Sequence, residues 1–509
     1  MSLGRAWAAS LVGLTAHLVE VEAHLAPGLP AFRIVGLPDA SLGEARERVR
    51  AAILSCGIAW PMRRVTVGLN PAELPKAGSS FDLAIAIAIL DAAGVTTSTG
   101  KVLHLGEVGL DGRVHPVRGV LPVVAGAIAA GYRQVVVPAE NEAEARLVGE
   151  AEVFPVVHLA ELAARYGAQI GVPQMREIPA GQPVAPVQVE PDLSDILGQQ
   201  HARLALEIAA AGGHHLLLHG PPGTGKTMLA ARLPSILPDL TEDEAVEVTS
   251  VHSIAGTLNA SEGLMRRPPY EDPHHTATAV SVIGGGSGTP RPGAASRAHR
   301  GVLFLDEAPE FGIRVLETLR QPLEHGEIVL HRARGIARYP AQFQLVLAAN
   351  PCPCGRGSGK GLDCTCTPMA RRRYQARLSG PLMDRIDIRA EVSEPQSAVF
   401  STAEPGESSA VVAQRVLAAR QRGHARLQGT PWRLNAQVPG TWLREHTTSV
   451  STRMSAQLDR LRDSGRLSLR GIDRVLRLAW TVADLAGRDR PDPTDLGTAV
   501  SLRSGSYRG

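Results

Sequence analysis

The chain has 509 residues, room for roughly three or four domains, and its 44% hydrophobic and 20% charged content is that of an ordinary globular protein. A net charge of +3 excludes the class in which global charge alone announces a nucleic-acid binder; only four lysines, at 76, 101, 226 and 360, accompany the arginines. Five cysteines, four of them within fifteen residues, exclude the even spread of a secreted disulfide framework.

Residues 6–14 are apolar, but His17 and Glu20 follow with no small-residue cleavage site, so a signal peptide is rejected. No run reaches the ~18–20 apolar residues of a membrane helix, and a cytoplasmic location without membrane contact is expected. Residues 1–172 read as a compact α/β domain. Segments 15–23 and 64–69 have strand patterns, and 41–55 has helical spacing with Val49, Ile53 and Cys56 on one face. An apolar helix is expected over 82–93 and a hairpin around Asp111-Gly112.

These segments, over 11–170, resemble the protease domain of Lon-type proteases, a fold like ribosomal protein S5 domain 2. Lon-type catalysis uses a Ser–Lys dyad, in which a lysine of lowered pKa activates a serine. The register of Pro75-Lys76-x-Gly78-x-Ser80 puts Ser80 at the serine position. The register of Gly112-Arg113-Val114-x-Pro116 carries the lysine position to Val123, and no lysine occurs between 102 and 225. A valine cannot take a proton, so a non-proteolytic domain is expected, with Ser80 as a helix N-cap or near-cap beside Asp82.

Prolines at 173, 179, 183, 186 and 191 mark 173–191 as a linker. Residues 192–394 are expected to form an α/β core. A helix over 192–211 carries Gly198-Gln199, and His214 and His215, adjacent in sequence, suggest structural or ligand-shell roles more than metal. The run from Leu216 to Leu218 then reads as a buried strand. It feeds Gly220-Pro221-Pro222-Gly223-Thr224-Gly225-Lys226-Thr227, and a helix pattern follows. Glycine N–H groups in such a loop cradle phosphate oxygens, Lys226 supplies a charge for the β and γ phosphates, and Thr227 can hold Mg²⁺.

Residues 251–300 are irregular and rich in Gly, Pro, Ser, Thr and His, with Arg291, Arg297, His299 and Arg300 giving positive charge; a solvated insertion and direct ligand contact are both open readings. Val302-Leu303-Phe304-Leu305-Asp306-Glu307 reads as a buried strand delivering two carboxylates, Asp306 for the metal and Glu307 for the attacking water. A basic hairpin is expected over 327–340, with His331, Arg332, Arg334 and Arg338. An apolar strand over 343–349 follows and ends at Asn350, whose amide can contact the γ-phosphate or orient the water. Cys352-Pro353-Cys354 and Cys364-Thr365-Cys366 fit a Cys₄ zinc site; an iron–sulfur cluster is the lesser alternative. Arg385 is a candidate arginine finger for a neighbour's γ-phosphate. Residues 395–509 turn helical, with 411–427, 451–461 and a helix from Leu467 to Ala486, where Arg470 can reach the nucleotide in cis.

The order from Gly198-Gln199 through the phosphate loop, Gly284-Gly285-Gly286, the Asp306-Glu307 strand, Asn350-Pro351-Cys352-Pro353-Cys354-Gly355 and Gly380-Pro381-Leu382 closely resembles the YifB/ComM family of magnesium-chelatase-like AAA+ ATPases. The resemblance implies ATP and Mg²⁺ as cofactors, a helix-2 insert near 255–300 and a hairpin before the sensor asparagine. It also implies a homo-oligomeric ring, typically a hexamer, and DNA as partner. ComM-type relatives drive branch migration as helicases in natural transformation. A chelatase-like motor working with partner subunits is the alternative. The chain departs from the family's usual pattern at 293–300 and has Trp480 where an arginine is common.

Overall fold

The computed structural model describes residues 2–36, 40–74, 76, 78–173, 190–286, 290–332, 335–357, 364–393, 406–448, 452–463, 465 and 467–505. The expected linker falls almost wholly outside these, as do Arg334 and the side chain of Arg332 at the hairpin tip.

Alternation builds the first sheet. Strands β1 (Ser2–Val12) and β2 (Thr15–Ala26) pair antiparallel, and Ala6, Ala8, Val19, Val21 and Ala23 point inward with no exposure. The sequence pattern leaves β1 as an apolar stretch, because its inward residues are alanines. They are small because the helix Asp82–Ala92 lies directly on them: a Cβ at Gly4 would stand 2.2 Å from the Ala88 carbonyl oxygen. With β3 (Ala31–Val35), β4 (Arg64–Asn70) and β5 (Val102–His104), then β8 (Gln134–Pro138) and β9 (Glu152–Val156), the sheet among the described residues runs β3-β4-β2-β1-β5-β8-β9. The hairpin expected around Asp111-Gly112 is present as β6 (Glu107–Val108) and β7 (Val114–His115).

Ser80 lies one residue before the helix N-cap, Phe81, and its carbonyl accepts a 3.2 Å bond from Gly106 N–H. Val123 is buried in the helix Val120–Ala129 within an apolar cluster. Lys76 is also buried, its ammonium bonded to the Pro71 carbonyl.

The second sheet is parallel, with β10 (Leu216–His219), β11 (Tyr270–Glu271), β14 (Val302–Leu305), β17 (Gln344–Ala349) and β18 (Ile388–Glu391) in the order β11-β14-β17-β10-β18. Both faces are covered, so its strands read as continuous apolar runs. Leu216, Leu218, Phe304 and Val346 face the helix Gln200–Gly212 and the C-terminal helices, while Leu217, Leu303, Leu305, Leu345 and Leu347 face the opposite cluster. β11 escapes sequence reading because it is two residues long and sits in the irregular insertion. There β12 (Gly284–Gly285) pairs with β13 (Arg291–Pro292), and beyond β14 the expected basic hairpin forms from β15 (Glu327–Arg332) and β16 (Gly335–Pro340).

The C-terminal helices are Ser409–Arg426, Gly440–Thr448, Thr452–Asp463, Leu469–Leu485 and Pro493–Ser504. A buried polar chain ties them to the sheet. His214 bonds Asp387 through Nδ1 (3.1 Å) and Thr481 through Nε2 (2.7 Å), and Arg474 pairs with the same Asp387. Burial alone would raise the Asp387 carboxyl, but the His214 bond and the Arg474 charge hold it well below the usual carboxylate range. His215 accepts the Leu345 N–H at 3.0 Å, and burial pushes its imidazole down to about 4, so it stays neutral. Both histidines are structural. Trp480, at the position of a family arginine, is buried, donates to Thr447 Oγ1 (2.9 Å) and carries Arg426 over its ring at 4.4 Å.

The N-terminal unit docks on the second sheet's surroundings. Ser253 Oγ donates to Glu144 Oε1 at 2.5 Å, and the β1–β2 turn meets β16 so closely that a Cβ at Gly13 would lie 2.2 Å from the Arg338 carbonyl oxygen. Among the described residues, no helix is long and apolar enough to cross a membrane.

Candidate functional site

The parallel sheet delivers its chemistry to one edge. β10 ends at Gly220, whose N–H donates to Ala349 O (3.2 Å) and where any Cβ would lie 2.0 Å from the Val392 carbonyl oxygen. Only glycine fits there. Gly223 and Gly225 take φ of 78° and 89°, which turns the loop before the helix Lys226–Ala231. Lys226 folds back across the loop, with Nζ donating to Gly220 O (2.8 Å), Pro221 O (2.6 Å) and Asn350 Oδ1 (3.1 Å). Burial pulls its pKa below the usual lysine value, partly offset by Asp306 and Glu307. Thr224 Oγ1 closes the turn on Pro221 O at 2.9 Å.

β14 lies two strands from β10 and runs parallel to it, so Asp306 and Glu307 emerge at the same edge. Thr227 Oγ1 donates to Asp306 Oδ2 at 2.6 Å, and Asp306 Oδ1 accepts the Glu307 N–H at 2.8 Å. Glu307 takes the left-handed conformation, φ 49°, and its Oε2 lies 3.3 Å from His275 Nδ1. Lys226, Thr227, Asp306, Glu307 and Asn350 therefore converge, as the spacing of their motifs implies. A hydroxyl and a carboxylate oxygen 2.6 Å apart, beside a lysine and a loop of turned N–H groups, form a donor set suited to a phosphate-bound divalent cation.

Two arginines stand apart. Arg385 precedes β18, which runs parallel to β10 with Ile388 opposite Leu216, so it lies at the sheet edge opposite the loop. It pairs with Glu324 and donates to Pro381 O. Arg470, 85% exposed, has its acidic neighbour in Asp384 at 4.0 Å. It stands with Arg385 rather than over its own chain's loop, because Arg474, one turn along the same helix, is held by Asp387 and the Arg385 carbonyl.

Sequence reading missed three contacts. Gln199, at φ 51°, sends Nε2 to Ser393 O (2.5 Å) and toward Thr224 O (3.4 Å), bracing the loop from behind. His275 meets Glu307 from the segment after β11. Pro222 packs against Gly355, where a Cβ would stand 2.4 Å from Pro222 Cγ. Only the histidine pair, Pro273-His274-His275, carries any local signal. The insertion's cations are largely committed to holding the insertion. Arg297 grips Glu271 at 2.7 and 2.8 Å, Arg300 meets Glu244 and Glu247, and buried His299 bonds Glu247 at 2.8 Å.

Cys352, Cys354, Cys364 and Cys366 form one cluster, their sulfurs all within 4.8 Å. The Cys352–Cys354 separation is 3.4 Å and each of these stands 3.6 Å from Cys364, far beyond the ~2.05 Å of a disulfide. Tetrahedral zinc with Zn–S of about 2.3 Å places its sulfurs about 3.8 Å apart, so the donor set fits such a metal. The Arg356 N–H brings the Cys354 thiol down to about 6, toward the thiolate a metal needs.

The chain matches family models for magnesium chelatase subunit ChlI over residues 192–399, for a further ChlI segment over 21–141, and for the ChlI C-terminal segment over 406–503. It is 40% identical over 507 residues to YifB of Escherichia coli (99% of this chain, 97% of YifB) and 39% over 509 residues to competence protein ComM of Haemophilus influenzae (99% and 98%). The chain belongs to the YifB/ComM family of magnesium-chelatase-like AAA+ proteins. It is also 48% identical over 514 residues to an uncharacterised Mycobacterium tuberculosis protein, covering all of both chains. As a YifB/ComM-family chain it has the expected fold class: an N-terminal Lon-protease-like α/β domain, a P-loop core with its insert, and a C-terminal helical lid.

Proposed function

We propose that this YifB/ComM-family chain is an ATP hydrolase that works as a ring, typically a hexamer, and translocates on DNA. The observation that carries the reading is the convergence of Lys226, Thr227, Asp306, Glu307 and Asn350 at one sheet edge. Bound Mg²⁺ would supply charge neutralisation on the β and γ phosphates, held by Thr227 and Asp306. Lys226 binds the same phosphates, Glu307 orients and deprotonates water, and Asn350 reports on the γ-phosphate. Arg385 and Arg470, at the opposite edge, are placed to complete a neighbour's site, which makes turnover depend on assembly. The β15–β16 hairpin is the DNA-gripping element, and similarity to a competence protein favours branched or single-stranded DNA in recombination. A cytoplasmic location accords with this reading.

The test is ATP turnover and strand exchange on a synthetic four-way junction, with ATP and with a non-hydrolysable analogue. The proposal expects junction-stimulated turnover, branch migration only with ATP, and binding that weakens steeply with salt. Turnover indifferent to DNA in a chain that stays monomeric would overturn it. The family's match to magnesium chelatase subunit ChlI favours a second reading, a chelatase-like motor. That reading expects no DNA response and a requirement for partner subunits. The Cys₄ cluster is proposed as a structural zinc site that anchors the loop after Asn350. Metal analysis of the purified protein is expected to find about one zinc per chain. A metal-free protein with full nucleotide affinity would remove that assignment.

A further inference from the structure

Among the described residues, the insertion is joined to the site by one short segment. β11 runs parallel to β14, with Tyr270 opposite Val302 and Glu271 opposite Leu303, so the chain leaves β11 at the same edge as Asp306 and Glu307. Residues 272–278 then cross that edge before the helix Ala279–Ile283, which leads into the β12–β13 pair of the insertion. A turn fixes the segment. His274 Nδ1 bonds Thr276 Oγ1 at 2.9 Å, Ala277 N–H donates to His274 O at 2.8 Å, and the His274 and His275 rings lie 4.1 Å apart. That geometry aims His275 Nδ1 at Glu307 Oε2, 3.3 Å away. Glu307 is held from its other side as well, since its N–H is bound to Asp306 and its carbonyl accepts Glu310 N–H at 2.7 Å. Its carboxylate is the movable part, and His275 is what engages it.

We propose that His275 is a positioning residue that restrains the Glu307 carboxylate, so that movement of the insertion releases the general base. The inference rests on the ATPase reading above and deepens it: the insertion is the input and Glu307 the output. A carboxylate engaged by an imidazole is a weaker acceptor for the proton of water. Displacing the 272–278 segment, as a polynucleotide drawn against the insertion would, frees it. His275 touches no phosphate-binding group, so ATP affinity does not depend on it.

The experiment measures steady-state ATP turnover of the full chain with and without a synthetic four-way junction, and affinity for a non-hydrolysable ATP analogue. The variants are His275→Ala, His275→Leu and His275→Asn, with Glu307→Gln as control. For the Ala and Leu variants, kcat without DNA is expected to rise about threefold to fivefold, the scale of a half-exposed ion pair, and stimulation by DNA to shrink by the same factor. KM and analogue affinity stay at wild-type values. His275→Asn, which keeps a side-chain N–H donor, is expected to return kcat toward wild type. If either the Ala or the Leu variant folds with unchanged kcat, or loses activity that Asn does not restore, the restraint is overturned and His275 is only structural. If wild type itself turns over no faster than Glu307→Gln, the ATPase reading has failed instead.

Discussion

Glu307→Gln is expected to bind ATP as wild type does and to lose turnover by about 10²–10⁴-fold, the scale of one positioned general base. The amide keeps the shape of the carboxylate, so the left-handed turn at Glu307 and the bond from its N–H to Asp306 have no cause to change. What disappears is the ability to take a proton from water. Affinity for a labelled analogue should therefore remain within about threefold, while phosphate release falls to background. A variant with undiminished turnover would show that Glu307 is not the base and would leave Asp306 as the only carboxylate of that strand end to reconsider.

Lys226→Ala is expected to weaken nucleotide binding by about a hundredfold or more, since charge-assisted bonds to two phosphates are lost and each contributes about 1.5–3 kcal/mol. Lys226 is buried and already satisfies the carbonyls of Gly220 and Pro221 and the amide of Asn350. Alanine takes from the loop both its phosphate ligand and its own brace. Equilibrium titration with a fluorescent nucleotide reads the loss, and a melting curve separates it from unfolding. Wild-type affinity in a folded Lys226→Ala protein would refute the phosphate assignment. The two substitutions divide the site: one removes chemistry and keeps binding, the other removes binding first.

Both residues were legible without coordinates because their surroundings are local. A buried strand, a glycine loop and a helix follow one another in the chain, and the Asp-Glu pair ends an apolar run. The cysteine cluster is legible for the same reason, since each pair spans three residues. The hairpin at 327–340 announces itself by alternation around Arg334-Gly335, although its tip lies outside the described residues. Reading failed where the signal was too short or too distant. β11 is two residues long, and β1 hides because its inward alanines answer to a helix far along the chain.

The sequence by itself determined the family, the loop, the two carboxylates, the sensor amide and the four thiols, because each is a consecutive motif whose backbone requirements are met by its own neighbours. Only the tertiary structure decided which edge of the sheet each residue occupies. Strand direction puts Arg385 and Arg470 opposite the loop and brings His275 to Glu307, and pairing between β10 and β18, or β11 and β14, is a long-range choice no local pattern encodes. The physical reason is that parallel strands are joined by distant crossovers, so the end of the sheet a side chain reaches depends on how the whole core packs.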